Sequence, residues 1–179
     1  MKTIILYKSK YGSTLKYAQW LADETGAEVA EIGTLGVTQL APYERIIVGG
    51  SVFASGIRGI KWLKKNYPQL HGKKLAIFAV GASPAEEDNI ALLRQHSLEP
   101  ELAELPLFYL RGRLDVERMT WPDRKLCGML KTQLAKKPES ELRGEERALL
   151  EAYAQGDGAA FDWMSKDQLD PLVEWMQEQ

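Results

Sequence analysis

Three short segments rich in hydroxyl, glycine and other small residues each follow an apolar run and could bind a phosphorylated, planar ligand. The first contains Ser9, Lys10, Tyr11, Gly12, Ser13 and Thr14. The second contains Gly49, Gly50, Ser51, Val52, Phe53, Ala54, Ser55 and Gly56, and the third contains Gly81, Ala82, Ser83 and Pro84. Hydroxyl groups and the N–H groups at a helix N-terminus bind phosphate well. None of the three segments contains a carboxylate that would repel an anion.

The second and third segments suit the flat part of such a ligand. Small side chains let the backbone approach it closely, Gly56 tolerates a peptide reorientation, and Phe53 could cover an aromatic ring. The alternative is purely structural: Ser13 or Thr14 caps a helix, Gly12 makes a turn, and Phe53 lies in the core. One segment alone decides nothing, but the three together favour a ligand crevice. Because G-x-G-x-x-G and G-K-[ST] motifs are absent, a phosphate monoester is favoured over a polyphosphate.

The segments around these groups predict buried parallel strands separated by helices. Apolar runs at 3–7, 45–49, 75–80 and 105–110, with a weaker run at 28–32, are typical of strands buried on both faces. Apolar stripes predict the crossover helices, with Leu15, Ala18 and Leu21 or Ala22 in the first, Ile57, Ile60, Trp62, Leu63 and Tyr67 in the second, and Ile90, Leu92 and Leu93 in the third. In such sheets, ligands bind beyond the carboxyl ends of the strands, where the three segments lie.

Length and charge predict a single domain with an unusual second half. The chain has 179 residues, a net charge of -2 and one cysteine, which argues against nucleic-acid binding and fits a reducing compartment. Residues 111–137 carry eight Lys and Arg against three Asp and Glu, whereas residues 138–179 carry three against eleven. We expect one domain, 1–179, with a basic amphipathic elaboration at 111–137, an acidic linker at 138–160 and a terminal helix at 166–177.

The basic elaboration mixes cations with large apolar side chains. The cations are Arg111, Arg113, Arg118, Arg124, Lys125 and Lys131, and the apolar residues are Trp121, Leu126, Met129, Leu130 and Leu134. Such a helix either lies on an anionic membrane, near a lipid-soluble substrate, or packs its apolar face on the sheet and leaves its cations in water. No apolar run suits a signal peptide or a membrane span. We expect a cytoplasmic protein, with peripheral contact at the inner face of the membrane as the alternative.

Other chemistries find little support. His71 and His96, the only histidines, lie outside the three segments, so we expect no metal site. Cys127 has no histidine nearby and is expected to be an inert, buried thiol. A G-x-S-x-G nucleophile elbow is absent, and a phosphoacceptor domain would need acidic residues where Lys8 and Gly49 stand. No side chain is identified as a catalytic acid or base.

Two sets of residues resemble known families. The segment Ser9-Lys10-Tyr11-Gly12-Ser13-Thr14 resembles the T/S-x-T-G-x-T loop with which the flavodoxin superfamily holds the phosphate of FMN, with Tyr11 in place of a hydroxyl amino acid. The opening Met1-Lys2-Thr3-Ile4-Ile5-Leu6-Tyr7 and the later Gly112-Arg113-Leu114-Asp115, Arg118, Trp121, Asp123-Arg124 and Asp162-Trp163 resemble the flavodoxin-type, menaquinone-dependent protoporphyrinogen dehydrogenases of bacteria. That family's motif runs G-x-L-x-Y-x-x-Y-x-W-x-D-R. Here Val116 and Met119 replace aromatic residues, and the third segment is shorter and less basic.

The resemblance, which covers nearly the whole chain, implies a flavodoxin-like, doubly wound α/β fold. Its five-stranded parallel sheet would have the order 2-1-3-4-5, with helices on both faces and a long elaboration after the fifth strand. It implies FMN, with the phosphate at Ser9, Ser13 and Thr14 and the isoalloxazine ring between the second and third segments.

Three functions remain open. The first is an FMN-dependent oxidoreductase, similar to the protoporphyrinogen dehydrogenases, that passes electrons from a reduced small molecule to a quinone or another acceptor. The second is a flavodoxin-type electron carrier that docks on protein redox partners, and the third is a binding module without flavin. Dedicated carriers usually present a strongly acidic docking face. This chain is only mildly acidic and has a basic patch, which favours the enzyme.

Overall fold

Five parallel strands form the central sheet of the protein. The structure, a computed structural model, describes residues 1–53, 56–142, 144–154 and 160–178. Its strands are β1 (Thr3–Lys8), β2 (Glu28–Glu31), β3 (Arg45–Phe53), β4 (Gly56–Ile57), β5 (Lys74–Gly81), β6 (Leu107–Arg111), β7 (Arg113–Asp115) and β8 (Ala160–Asp162). The sheet order is β2-β1-β3-β5-β6, with β4 paired antiparallel to β3. Since β4 is only a short addition, the predicted doubly wound order of the five parallel strands is confirmed.

Helices cover both faces of this sheet. They are α1 (Ser13–Thr25), α2 (Ile60–Asn66), α3 (Glu87–Ser97), α4 (Trp121–Leu134), α5 (Gly144–Ala154) and α6 (Asp170–Gln177). Single 3-10 turns join several of them, including one at Lys166–Leu169 that leads into α6. The predicted terminal helix is therefore present, with its first four residues in 3-10 geometry.

Alternation along each strand divides the core into two layers. Ile4 of β1 packs in one buried cluster with Leu63 of α2 and Leu93 of α3. Its neighbour Ile5 packs in the other cluster, with Leu21 of α1. Leu172 of α6 joins that second cluster. Because both faces are buried, the strands read as continuous apolar runs, as the sequence indicated.

The structure corrects two details of the predicted helices. Ile57, assigned to the second helix, lies in β4, and α2 begins only at Ile60. Leu92, assigned to the buried stripe of the third helix, is 41% exposed, whereas Leu93 is buried. Neighbouring apolar residues on a helix point in directions about 100° apart, so only one of this pair can face the sheet.

The elaboration after β6 is a pair of helices that lies between the two strands of a small antiparallel hairpin. Strands β7 and β8 pair antiparallel, with Asp115 opposite Ala160. Between them lie α4 and α5, which contact each other and which we call the helical cap. Helix α5 occupies 144–154, within the stretch predicted as an acidic linker. The prediction missed it because the stretch 138–160 was assigned from its excess of acidic residues, although α5 itself has six apolar residues against three Glu.

Among the described residues, none of the helices has the length and apolar character needed to cross a membrane.

Candidate functional site

A cavity of about 350 Å³ opens at the carboxyl ends of β1, β3 and β5. Of the predicted site residues, it is lined by Ser9, Lys10, Tyr11, Ser13, Thr14, Ser51, Val52, Phe53, Gly81 and Ala82. The three segments are thus brought to one place, as the parallel topology requires. The cavity is closed on its other side by residues that follow β6.

The first segment forms a tight loop into the N-terminus of α1. Gly12 has φ 98°, a left-handed conformation that favours glycine, and its N–H donates to Ser9 Oγ at 3.0 Å. Helix α1 begins at Ser13, and no side chain caps it. The alternative that Ser13 or Thr14 acts as an N-cap is therefore wrong. The N–H groups of the first helical turn have no partner within the helix, and this turn lines the cavity.

Two buried hydroxyl groups at the cavity have no partner. Thr14 is fully buried, and its Oγ1 makes no hydrogen bond to any residue that the structure describes. Ser51 Oγ, at the end of β3, is buried and unpaired in the same way. An unpaired buried hydroxyl costs about 1–3 kcal/mol, so both are suited to a ligand that enters the cavity. They lie in the first and second segments, as a ligand spanning both would require.

The second segment differs from its sequence-based interpretation. Gly49 and Gly50 lie inside β3, where a Cβ atom would collide with the Phe78 ring and with the Arg58 carbonyl. Their small size serves packing within the protein. Phe53 is 39% exposed and lines the cavity, with Lys10 Nζ 3.9 Å from its ring centroid, so the alternative that it lies in the core is wrong.

The remaining residues of the second segment are less informative. Gly56 lies opposite Phe53 in the β3–β4 pair and does not line the cavity. Its φ is not in the left-handed region, and a Cβ there would make only an ordinary contact. The predicted residues Ala54 and Ser55 lie outside the described residues.

The third segment is only half in the cavity. Gly81 and Ala82 line it, but Ser83 and Pro84 do not. The Ser83 carbonyl accepts a hydrogen bond from Tyr109 Oη at 3.0 Å, and the Pro84 carbonyl accepts one from Asn89 Nδ2 at 3.2 Å. These bonds hold the loop in place, so its last two residues support the wall.

Asp123 of α4 brings a carboxylate into the site that the sequence did not reveal. Lys10 Nζ forms an ion pair with Asp123 Oδ2, and Tyr11 Oη donates a hydrogen bond to the same oxygen. These two partners hold the pKa of Asp123 below its ordinary value. Tyr11 therefore binds to the cap. This agrees with the sequence, which has a tyrosine here in place of the hydroxyl amino acid of the flavodoxin loop. The carboxylate neutralises Lys10 and ties the loop to α4.

Apolar side chains of the cap form the outer wall of the cavity. Leucines and a methionine that sequence reasoning did not assign to the site line it here, namely Leu114, Met119, Leu126, Leu130, Leu134 and Leu149. The spacing of Leu126, Leu130 and Leu134 places them on one face of α4. That spacing was the available signal, but it does not tell which surface the face covers. Arg113 and Glu146 also line the cavity, paired with Asp115 and Lys137 respectively.

Cys127 lines the same cavity as a half-buried thiol. Burial raises its pKa, and the negative charge of Asp123 raises it further. A raised pKa favours the protonated thiol, which is the poorer nucleophile, and that Cys127 is inert stays a prediction. It is less buried than expected, because the face of α4 that carries it covers a cavity and not the sheet.

The titratable groups of the described residues offer no metal centre. No cluster of three or more His, Cys, Asp or Glu side chains suited to a metal ion occurs among them. His71 and His96 are both exposed.

Comparison with protein families identifies the fold family. The family model described as the flavodoxin domain matches residues 4–141. The chain belongs to the flavodoxin domain family. That match covers the sheet, the three cavity segments and α4 of this flavodoxin-family chain. No curated protein matches its sequence.

Several solved structures resemble it. A WrbA-like flavodoxin from Agrobacterium tumefaciens is 19% identical, covers 69% of this chain and 88% of its own, and has a TM-score of 0.44. A flavodoxin from Megasphaera elsdenii is 18% identical over 60% of this chain and 82% of its own, with a TM-score of 0.46. A flavoprotein in complex with FMN from Lactobacillus acidophilus is 18% identical over 62% of this chain and 91% of its own, with a TM-score of 0.41.

Proposed function

We propose that the cavity binds FMN. The observation that carries this proposal is Thr14 Oγ1, a fully buried hydroxyl without a partner among the described residues, located in the first turn of α1. A phosphate placed there would accept hydrogen bonds from Thr14, Ser9 and Ser13 and from the free N–H groups of that turn. The unpaired Ser51 hydroxyl at the second segment gives the site a further donor for the rest of the ligand.

The remaining residues fit the other parts of FMN. Ser51, Phe53, Gly81 and Ala82 would hold the ring, since they combine an aromatic side chain with accessible small residues at neighbouring strand ends. Lys10 belongs to the first segment, and its charge is already balanced by Asp123. Bound FMN would supply transfer of a hydride or of single electrons. The apolar wall from the cap excludes water from that chemistry.

An oxidoreductase acting on a small molecule is the function that this arrangement supports best. The helical cap covers the cavity with Leu126, Leu130 and Leu149, which suits an apolar substrate more than it suits a protein partner that must reach the flavin edge. The sequence resemblance makes a porphyrinogen the first substrate to test and a quinone the first acceptor. We propose that the protein acts in the cytoplasm, because its single cysteine and mild charge fit that compartment.

A flavodoxin-type electron carrier is the second candidate. The polar loop 9–14 and membership of the flavodoxin domain family are equally compatible with an enzyme and with an electron carrier. The enzyme and the carrier differ in the role of the cap. In a carrier, the rate of electron exchange with a protein partner would be the same with or without a small apolar substrate.

The cofactor is tested by purifying the protein, recording its visible absorption and identifying any released chromophore by mass. Added FMN should restore the flavin bands of a colourless preparation. Thr14→Val should weaken FMN binding by about 1.5–3 kcal/mol, roughly tenfold to a hundredfold, because it removes a hydrogen bond to a charged phosphate. Thr25→Val is the matched control, since Thr25 lies at the other end of α1 and donates to the Leu21 carbonyl.

The outcomes separate the candidates. FMN binding with oxidation of a porphyrinogen or reduction of a quinone would support the enzyme. FMN binding without small-molecule turnover, but with fast reduction by a ferredoxin reductase, would support the carrier. A protein that takes up no FMN, or for which Thr14→Val and Thr25→Val bind it equally well, would contradict the proposed site and leave the binding module without flavin.

A further inference from the structure

Helix α4 presents large apolar side chains to solvent on the side away from the cavity. Trp121 is 71% exposed and Met129 is 57% exposed, and Leu126 and Leu130, at 48% and 38%, extend the apolar surface toward the cavity mouth. Half of the large hydrophobic residues that the described structure exposes lie on this one helix. Clustered exposure of this kind marks a contact surface, whereas isolated exposed apolar residues are ordinary.

The helical spacing separates two faces of α4. Asp123, Cys127 and Leu134 line the cavity. Trp121, Lys125 and Met129 follow at intervals of four on a different face, and we call these three residues the outer row of α4. Trp121 and Met129, the two apolar residues of the outer row, therefore do not pack on the sheet. For these two residues the alternative given in the sequence analysis is wrong. Leu134 is the buried residue of the helix.

Positive charge accompanies the outer row. Lys125 is exposed, and its Nζ lies 5.2 Å from the centroid of the Trp121 ring. Arg118, just before the helix, is exposed as well. The surrounding segment 111–137 has a net charge of +5, from eight Lys and Arg against three Asp and Glu. Of the acidic side chains nearby, Glu117 is exposed beside Arg118, and Glu139 and Glu141 come after the C-terminal end of α4.

We propose that the outer row of α4 docks on a lipid bilayer with anionic head groups. A tryptophan and a methionine that flank a lysine match the boundary between head groups and acyl chains, where the ring and the thioether enter the apolar region and the ammonium meets phosphate. The net charge of the segment is complementary to an anionic surface. Since Leu126 and Leu130 belong both to the exposed surface and to the cavity wall, docking would place the cavity mouth beside the bilayer.

The outer row does not line the cavity, so its contact with lipid does not depend on the cofactor. Membrane binding can therefore be measured on the full chain with or without FMN, and its failure would leave the proposed cofactor site untouched. The test is flotation with vesicles of phosphatidylcholine alone and with vesicles of equimolar phosphatidylcholine and phosphatidylglycerol. We expect retention on the anionic vesicles at low salt, weaker retention at high salt, and little retention on phosphatidylcholine.

Matched variants locate the contact. Trp121→Ser with Met129→Ser should lower the vesicle partition coefficient about tenfold or more, because two large apolar side chains no longer enter the bilayer. Lys125→Glu should lower it by more than the roughly fivefold expected for losing one positive charge, because it also adds a negative one. The controls are Leu92→Ser on α3, which removes an apolar side chain that is 41% exposed, and Lys61→Glu on α2.

A spectroscopic measurement keeps the proposal falsifiable if a variant binds poorly for another reason. Lipids brominated on their acyl chains should quench part of the tryptophan fluorescence of the intact protein, and Trp121→Phe should abolish that part. Absence of retention on anionic vesicles at low salt would overturn the proposal, as would equal retention of the outer-row and control variants. Self-association in light scattering that Trp121→Ser with Met129→Ser removes, without vesicle binding, would assign the surface to a second copy instead.

Discussion

The sheet and the helical cap use apolar side chains in opposite ways. The largest fully buried side chains, among them Tyr17, Phe78 and Ile47, all come from the sheet and the segments between its strands. In the cap, α4 buries only Leu134, and its other large apolar residues either line the cavity or face solvent. The sheet therefore provides most of the stability, while the cap provides a ligand-covering wall and an exposed surface.

This difference explains why composition alone misleads in the second half of the chain. The cap is about as rich in leucine as the sheet region is in isoleucine and valine, but its apolar residues have no sheet to cover. The contacts that attach α4 to the first segment are polar, because Asp123 binds Lys10 and Tyr11, whereas Lys137 and Glu146 pair within the cap region. We expect the two regions to respond to different perturbations.

Phe78→Ala should have the largest effect. The ring is fully buried in β5, and its removal should lower the free energy of unfolding by about 3–5 kcal/mol, as lost burial plus a cavity. Met129→Ala, on the exposed face of α4, should change it by less than about 0.5 kcal/mol. Urea unfolding followed by circular dichroism measures both. Similar losses for the two variants would show that the cap is as tightly packed as the sheet.

Asp123→Asn should loosen the cap while leaving the sheet intact. Replacing the carboxylate weakens the bonds from Lys10 and Tyr11 by about 1 kcal/mol, so amide hydrogen exchange in α4 should be roughly fivefold faster. Exchange in β3 and β5 should not change. Asp23→Asn, an exposed change on α1, is the control. Faster exchange throughout the sheet would mean that the cap and the sheet open as one unit.

The same carboxylate predicts a pH dependence of cap attachment. The pKa of Asp123 is lowered in the folded protein because Lys10 and Tyr11 bind its charged form. A lowered pKa means that the stabilisation is fully present above the ordinary aspartate pKa of about 3.9. It is lost as the pH falls below that value toward the folded pKa. Exchange in α4 should therefore rise, relative to that in β5, only as the pH falls below about 4, and Asp123→Asn should remove this trend.

The smallest expected effect concerns the reactivity of the Cys127 thiol, which depends on whether the cap is closed. As the only cysteine, it can be labelled selectively, and its half-buried thiol with a raised pKa should react with iodoacetamide more slowly than glutathione at neutral pH. Because it lines the cavity, bound FMN should slow the reaction further, and Asp123→Asn should speed it up. A rate equal to that of glutathione would indicate that the cap is mostly open.

The sheet could be predicted from the sequence because burial on both faces leaves an unmistakable pattern. The apolar runs at 3–7, 45–49 and 75–80 lie inside β1, β3 and β5. The positions of the three segments at the cavity followed from the topology of a parallel sheet, with no information about individual side chains. Besides Gly49 and Gly50, four predicted residues that the structure describes do not line the cavity, namely Gly12 within the first segment, Gly56 at the end of the second, and Ser83 and Pro84 at the end of the third.

The contacts between the cap and the loop could not be predicted in this way. Tyr11 and Asp123 are separated by 112 positions, and no periodic pattern encodes such a pairing. The reason for the glycines at 49 and 50 could not be predicted either. A glycine that makes room for the Phe78 ring looks the same in the sequence as a glycine that makes room for a ligand. A sequence specifies which face of an element is apolar, but not which object that face meets.

The β7–β8 hairpin makes the helical cap a removable module. The chain leaves the sheet region at Asp115 and returns at Ala160, directly opposite, so the cap enters and exits at one point. A two-residue Asn-Gly turn could join these positions and delete residues 116–159 without altering any strand of the main sheet. The same geometry allows caps of other lengths to be grafted at this site. Such a protein could therefore diversify by exchanging the cap while loop 9–14 and the sheet stay constant.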